Sequence, residues 1–135
     1  MLNEQTMTRL YEMKLHGMAE AYQEQLQQPQ AAEMSFDDRL GLLVDRQWNW
    51  REEKALKSRL RTARFRMQAC LEDIDYQAQR GLQRATIDQL RSGQWIGFHQ
   101  KVILTGPTGT GKTFLACAIG NAACRAGYRV RYFIA

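Results

Sequence analysis

The chain has 135 residues, of which 44% are hydrophobic and 24% charged, and it carries a formal net charge of +5. No apolar run approaches bilayer-spanning length, and Met1-Leu2-Asn3-Glu4 does not open a basic-then-apolar leader, so no membrane partner is expected. Three cysteines, odd in number and at no metal-ligand spacing, argue against a disulfide framework and for a reducing cytoplasm.

Helical periodicity dominates the first hundred residues. Met7, Leu10, Tyr11, Leu15, Met18, Tyr22 and Leu26 recur at three- and four-residue spacing, which predicts one amphipathic helix with Thr6 as its N-cap. Gln27-Gln28-Pro29-Gln30 ends it. Ser35-Phe36-Asp37-Asp38 reads as a capping box for a second helix carried by Phe36, Leu40, Leu43 and Val44. Leu56, Leu60, Ala63 and Met67 continue the same period, predicting one long helix. Within it, Leu40 to Asp45 imitates the apolar run plus Asp of a Walker B strand. Its helical phase and its place before the Gly-rich loop assign it to the helix instead. A looser stretch runs from Asp73 to Gly81. Thr86 then caps a short helix through Ile87 and Leu90, which stops at Ser92-Gly93.

Charge is unevenly placed along this region. Arg46, Arg51, Lys54, Lys57, Arg59, Arg61, Arg64 and Arg66 stand against Glu52 and Glu53, so this window carries +6 and the rest of the chain −1. Two readings fit: a surface for a polyanion, or a solvated helix face whose long stems cover the core. Trp48 and Trp50 adjoin the window and suit either base stacking or helix packing. His16 and His99 are isolated, as surface or capping residues are.

From residue 102 onward the pattern changes. Val102-Ile103-Leu104 is a continuous apolar run that predicts a buried strand. Gly106-Pro107-Thr108-Gly109-Thr110-Gly111-Lys112-Thr113 matches G-x-x-x-x-G-K-[ST]. In such a loop the glycines let successive amides turn onto phosphate oxygens, Lys112 reaches the β- and γ-phosphates, and the Thr113 hydroxyl ligates Mg²⁺. Phe114 to Cys124 reads as a helix apolar nearly all round, with Cys117 and Cys124 as small core residues and Gly127 beyond its end. Val130 to Ile134 predicts a second strand. Strand, loop, helix and strand form the setting the motif requires. Two parallel strands and one helix cannot bury both sheet faces, so residues 100–135 are expected to be marginal by themselves.

Read in order, Leu15-His16-Gly17-Met18-Ala19, Ser35-Phe36-Asp37-Asp38-Arg39-Leu40, Trp48-Asn49-Trp50-Arg51, Leu71 to Tyr76, Arg80-Gly81-Leu82 and the Leu104 to Thr113 loop span essentially the whole chain. Together they resemble the IstB-like ATP-binding proteins of bacterial insertion sequences, relatives of the DnaC helicase loaders in the AAA+ class. The resemblance implies a helical N-terminal domain over residues 1–98. It also implies the first strand–P-loop–helix–strand unit of an AAA+ domain over residues 99–135, so the fold class is α followed by the start of α/β. Members of that group are about twice this long, which makes this chain look like the N-terminal half of one.

By position, the resemblance places ATP phosphates on Gly106, Pro107, Thr108, Gly109, Thr110, Gly111, Lys112 and Thr113, with Mg²⁺ on Thr113. It places either double-stranded DNA, bound without sequence preference and sensitively to salt, or a neighbouring subunit on the Arg46 to Arg66 stretch, with Arg51, Lys54, Lys57, Arg59, Arg61, Arg64 and Arg66 as the DNA-contacting candidates. It also implies a transposase partner, self-assembly of the full-length protein and a bacterial cytoplasm. An ATPase is implied too. Yet no Asp or Glu follows Thr113 in this sequence, so the chain does not carry the acids that such hydrolysis uses. The competing reading is a nucleotide-independent helical module that binds a transposase or helicase. A small-molecule kinase fits less well, because the helical prefix is long and no lid segment is present.

Overall fold

The computed structural model describes residues 2–76, 81–107, 109 and 111–134. Six α-helices appear among them: α1 (Leu2–Glu12), α2 (His16–Gln27), α3 (Phe36–Ala63), α4 (Arg84–Ser92), the single turn α5 (Gln94–Gly97) and α6 (Lys112–Arg125). Short 3₁₀ turns lie at Pro29–Glu33 and Leu71–Asp73. The chain divides into two compact units, residues 1–55 and 56–135.

In the first unit, the expected single helix is two. Lys14 takes φ 63, its N–H donates to Tyr11 O at 2.9 Å and the Leu15 N–H to Leu10 O at 2.8 Å. That bond pair is a Schellman turn built on a lysine instead of a glycine. Apolar period alone could not reveal it, since Tyr11 and Leu15, four residues apart, keep phase across the break. Thr6 is not a cap; its hydroxyl donates to Leu2 O within α1.

The start of α2 packs closely on α3. A Cβ on Gly17 would lie 2.8 Å from both the Arg46 carbonyl oxygen and the Trp50 Cβ, so only glycine permits the approach. Ala19 and Ala21 are buried behind it. Gln47 of α3, itself buried, accepts the Met18 N–H on Oε1 at 3.0 Å. It thereby caps an orphan donor in the first turn of α2, where Leu15 offers no side-chain acceptor. The Ser35 hydroxyl accepts the Asp38 N–H at 3.1 Å, as the capping-box sequence predicts, and α3 runs unbroken for 28 residues.

The second unit is built around α6. Cys117, Ala118 and Cys124 are fully or almost fully buried, and Leu115, Ile119 and Ala122 join Ala69, Leu71, Ile74 and Ile87 in one core. The Phe65 ring fills the space above Gly120, where a Cβ would come within 2.6 Å of Cζ. Gly127, at φ 98, closes α6 with a Schellman pair from Gly127 N–H to Cys124 O and from Tyr128 N–H to Ala123 O.

The strand–P-loop–helix–strand unit is not formed. Among the described residues no strand occurs, and the α-plus-α/β expectation gives way to an all-helical architecture. A strand exists only through its ladder, and neither apolar run acquires one. The Tyr132 N–H donates instead to Ala63 O at the end of α3, at 2.9 Å. Ile103 is 82% exposed and Phe133 81%, so neither run is buried on two faces as its composition suggested.

Candidate functional site

The Gly-rich loop leads into α6. Gly109 takes φ 86 with nothing within 4 Å of a notional Cβ, so this glycine is required by its dihedral and not by space. Gly111, at φ 90, is the N-cap of α6 and brings no side-chain acceptor to the first turn. That turn also lacks an acidic residue, so its amide donors and the positive end of the helix are not neutralised by a carboxylate of its own.

Lys112, the first residue of α6, donates from Nζ to the carbonyl oxygen of Gly106, which draws the ammonium back over the loop. Thr113 follows, half-buried. Thr108 and Thr110 lie outside the described residues. The donor set comprises a glycine-permitted turn, an uncapped helix start, one ammonium and one hydroxyl, and it suits a chain of phosphates. No group of three His, Cys, Asp or Glu able to hold a metal occurs among the described residues. Of the loop's described side chains, the Thr113 hydroxyl is the one whose chemistry could ligate a divalent cation.

The basic window is divided between the two units. Arg46 makes a bidentate pair with Glu24, Nη2 to Oε2 at 2.7 Å and Nη1 to Oε1 at 3.1 Å, which holds the Glu24 carboxyl below its usual range. In the first unit Arg51 is exposed, and Lys54 sits with Nζ 5.0 Å from the centre of the Trp50 ring. Trp50 also stacks on His16 at 5.1 Å, so this tryptophan packs helices, whereas Trp48 is exposed. In the second unit Lys57 and Arg61 are exposed one turn apart on α3. Arg59 is engaged, its Nε donating to Cys124 O at 2.9 Å at the end of α6. Arg64 and Arg66 follow the helix end.

Charge separates more sharply by unit than along the sequence. Residues 56–135 hold 13 Lys and Arg against four Asp and Glu, a net of +9, while residues 1–55 hold six against ten, a net of −4. Arg125, in the last turn of α6, belongs to the basic unit but lies far from the window in sequence, so a search for local charge runs passes over it.

The family model described as "IstB-like ATP binding protein" matches residues 8–135. The chain belongs to this family. Among curated IstB-like relatives, it is 44% identical over 133 residues to "Insertion sequence IS1162 putative ATP-binding protein" of Pseudomonas fluorescens, covering 98% of this chain and 58% of that protein. It is 43% identical over 132 residues to "Putative insertion sequence ATP-binding protein y4pL" of Sinorhizobium fredii, covering 98% and 54%. To "Insertion sequence IS21 putative ATP-binding protein" of Pseudomonas aeruginosa it is 32% identical over 123 residues, covering 91% and 46%. This IstB-like chain thus spans about half the length of the curated relatives it matches. No described helix is long and apolar enough to cross a membrane.

Proposed function

We propose that this chain is an ATP-binding accessory of insertion-sequence transposition in the bacterial cytoplasm, holding ATP with Mg²⁺ at Gly106–Thr113 and double-stranded DNA on its basic unit. The observation that carries the nucleotide reading is the uncapped start of α6 behind a loop whose glycines stand at positive φ. Amides of that first turn meet the β-phosphate oxygens. Lys112 exchanges its bond to the Gly106 carbonyl for the β- and γ-phosphates, and the Thr113 hydroxyl orients toward the cation. By position in the motif, the backbone of Gly106, Pro107, Thr108, Gly109, Thr110 and Gly111 would face the phosphates. Bound Mg²⁺ supplies charge neutralisation of the triphosphate.

For DNA, the net +9 of residues 56–135 supports contact through Lys57, Arg61, Arg64 and Arg66, with Arg51 and Lys54 adding charge from α3 and Arg59 serving mainly to hold α6. In this reading residues 1–98 form the DNA- and partner-contacting part and residues 99–135 the nucleotide part. The transposase of the same element and further copies of the chain are its protein partners. A nucleotide-independent helical interaction module is the second reading. It is favoured by an exposed apolar row on α3, formed by Phe36, Leu40, Val44 and Trp48 at four-residue spacing.

The deciding experiment is a fluorescent-ATP titration with Mg²⁺, run on the chain and on Lys112→Ala. Saturable binding that weakens at least tenfold in the variant is the expected result. No binding by either protein overturns the nucleotide reading and leaves the interaction module.

A further inference from the structure

The strongest feature outside the loop is a cleft of about 650 Å³ in the second unit, between the end of α3, the non-helical segment 65–70 and the last turns of α6. Arg61, Arg64, Arg66 and Arg125 line it together with Cys70 and Asn121, and its lining contains no Asp or Glu. Three separate elements therefore bring arginines to one cleft. None of the four forms an ion pair among the described residues, whose carboxylate bridges involve Arg46 and Arg91.

The local backbone explains how the arginines gather. Arg64 takes φ 57 immediately after α3, a left-handed conformation uncommon for a residue with a side chain. The turn lets the Phe65 ring pack over Gly120 and against Tyr132, at 6.4 Å between centroids, while its neighbours Arg64 and Arg66 border the cleft. Arg125 donates from Nε to Asn121 Oδ1 at 2.9 Å, which fixes its plane and leaves its terminal nitrogens to a ligand. Unpaired cations in a strongly basic unit select an anion, and planar guanidinium forks match phosphate oxygens two at a time.

We propose that this cleft binds successive phosphates of a nucleic-acid backbone. The proposal rests on the DNA reading above and adds to it a defined place, a fourth arginine from α6 and a role for the turn at Arg64. A single free phosphate would engage one or two of the forks, whereas a backbone passing through the cleft meets all four.

Cys70 supplies a local readout. It is half-buried and lines the cleft, whereas Cys117 and Cys124 are buried and burial pushes the Cys124 thiol up from its ordinary pKa. Alkylation of the folded chain therefore reports Cys70. A short duplex of random sequence is expected to slow that alkylation several-fold. Arg125→Gln and Arg66→Gln are each expected to abolish the protection and to reduce the slope of log K against log salt by about one. Arg66 makes no side-chain hydrogen bond or ion pair among the described residues, so its variant keeps the test valid if loss of the Asn121 contact unsettles α6.

A duplex that binds without protecting Cys70, with slopes unchanged in both variants, overturns the cleft while the DNA reading stands. A chain that binds no duplex overturns both. Protection by inorganic pyrophosphate but not by duplex assigns the cleft to free phosphates and overturns the nucleic-acid occupant.

Discussion

Two glycines inside helices show how differently one residue type can be constrained. A Cβ at Gly17 meets backbone of α3 at 2.8 Å, so room for alanine requires α2 and α3 to separate. A Cβ at Gly41 meets nothing within 4 Å. Overpacking of this kind costs about 1–3 kcal/mol, whereas replacing an unconstrained helical glycine by alanine gains up to about 1 kcal/mol. Urea denaturation followed by tryptophan fluorescence should therefore show Gly17→Ala losing stability and Gly41→Ala gaining it. Equal losses in both would contradict the close approach. Sequence alone singles out Gly17 through the L-x-G-M-A match but cannot supply the reason, which is a contact with residues about thirty positions away.

At the scale of elements, what could be read from the sequence follows how local each element's bonds are. α3 and α6 were legible because their periodicity, the Ser35 cap and the Gly127 stop all act within a few residues. The positive φ of Gly106, Gly109 and Gly111 was legible for the same reason, since each φ is a property of its own residue. The break at Lys14 was not, because nothing in lysine marks a left-handed turn. Strands at 102–104 and 130–134 were misread because an apolar run states a preference for burial, while a strand requires a partner elsewhere. Burial is unevenly shared within residues 100–135. α6 carries the innermost side chains of its unit, whereas Ile103, Phe133 and Ile134 lie exposed. Hydrogen exchange should find the amides from Leu115 to Cys124 the best protected in residues 56–135, with 102–106 and 129–134 exchanging fast. Uniform protection across these segments would show that the flanking runs are ordered by something other than α6.

Across the whole molecule, the division of charge sets how each unit answers to pH. Residues 1–55 hold ten of the fourteen Asp and Glu carboxylates, and protonating these alone turns their net charge from −4 to +6, while residues 56–135 are already at +9 and hold only four such carboxylates. Glu24 gives the first unit a specific acid-sensitive contact. Its bond to Arg46 holds the carboxyl below the ordinary value, so the native state binds its proton less readily than the unfolded chain. The stabilisation is then fully present above the unfolded value, about 4.3, and is lost as pH falls through the lowered native one. Both side chains are about half exposed, so solvent screening keeps the contribution small. Thermal melts of the chain and of Glu24→Gln should therefore differ slightly at neutral pH, with the wild type higher, and converge below the carboxylate range. High salt should narrow the gap at neutral pH by screening the pair. A gap that persists at acid pH would show that Glu24 acts through packing and not through its charge.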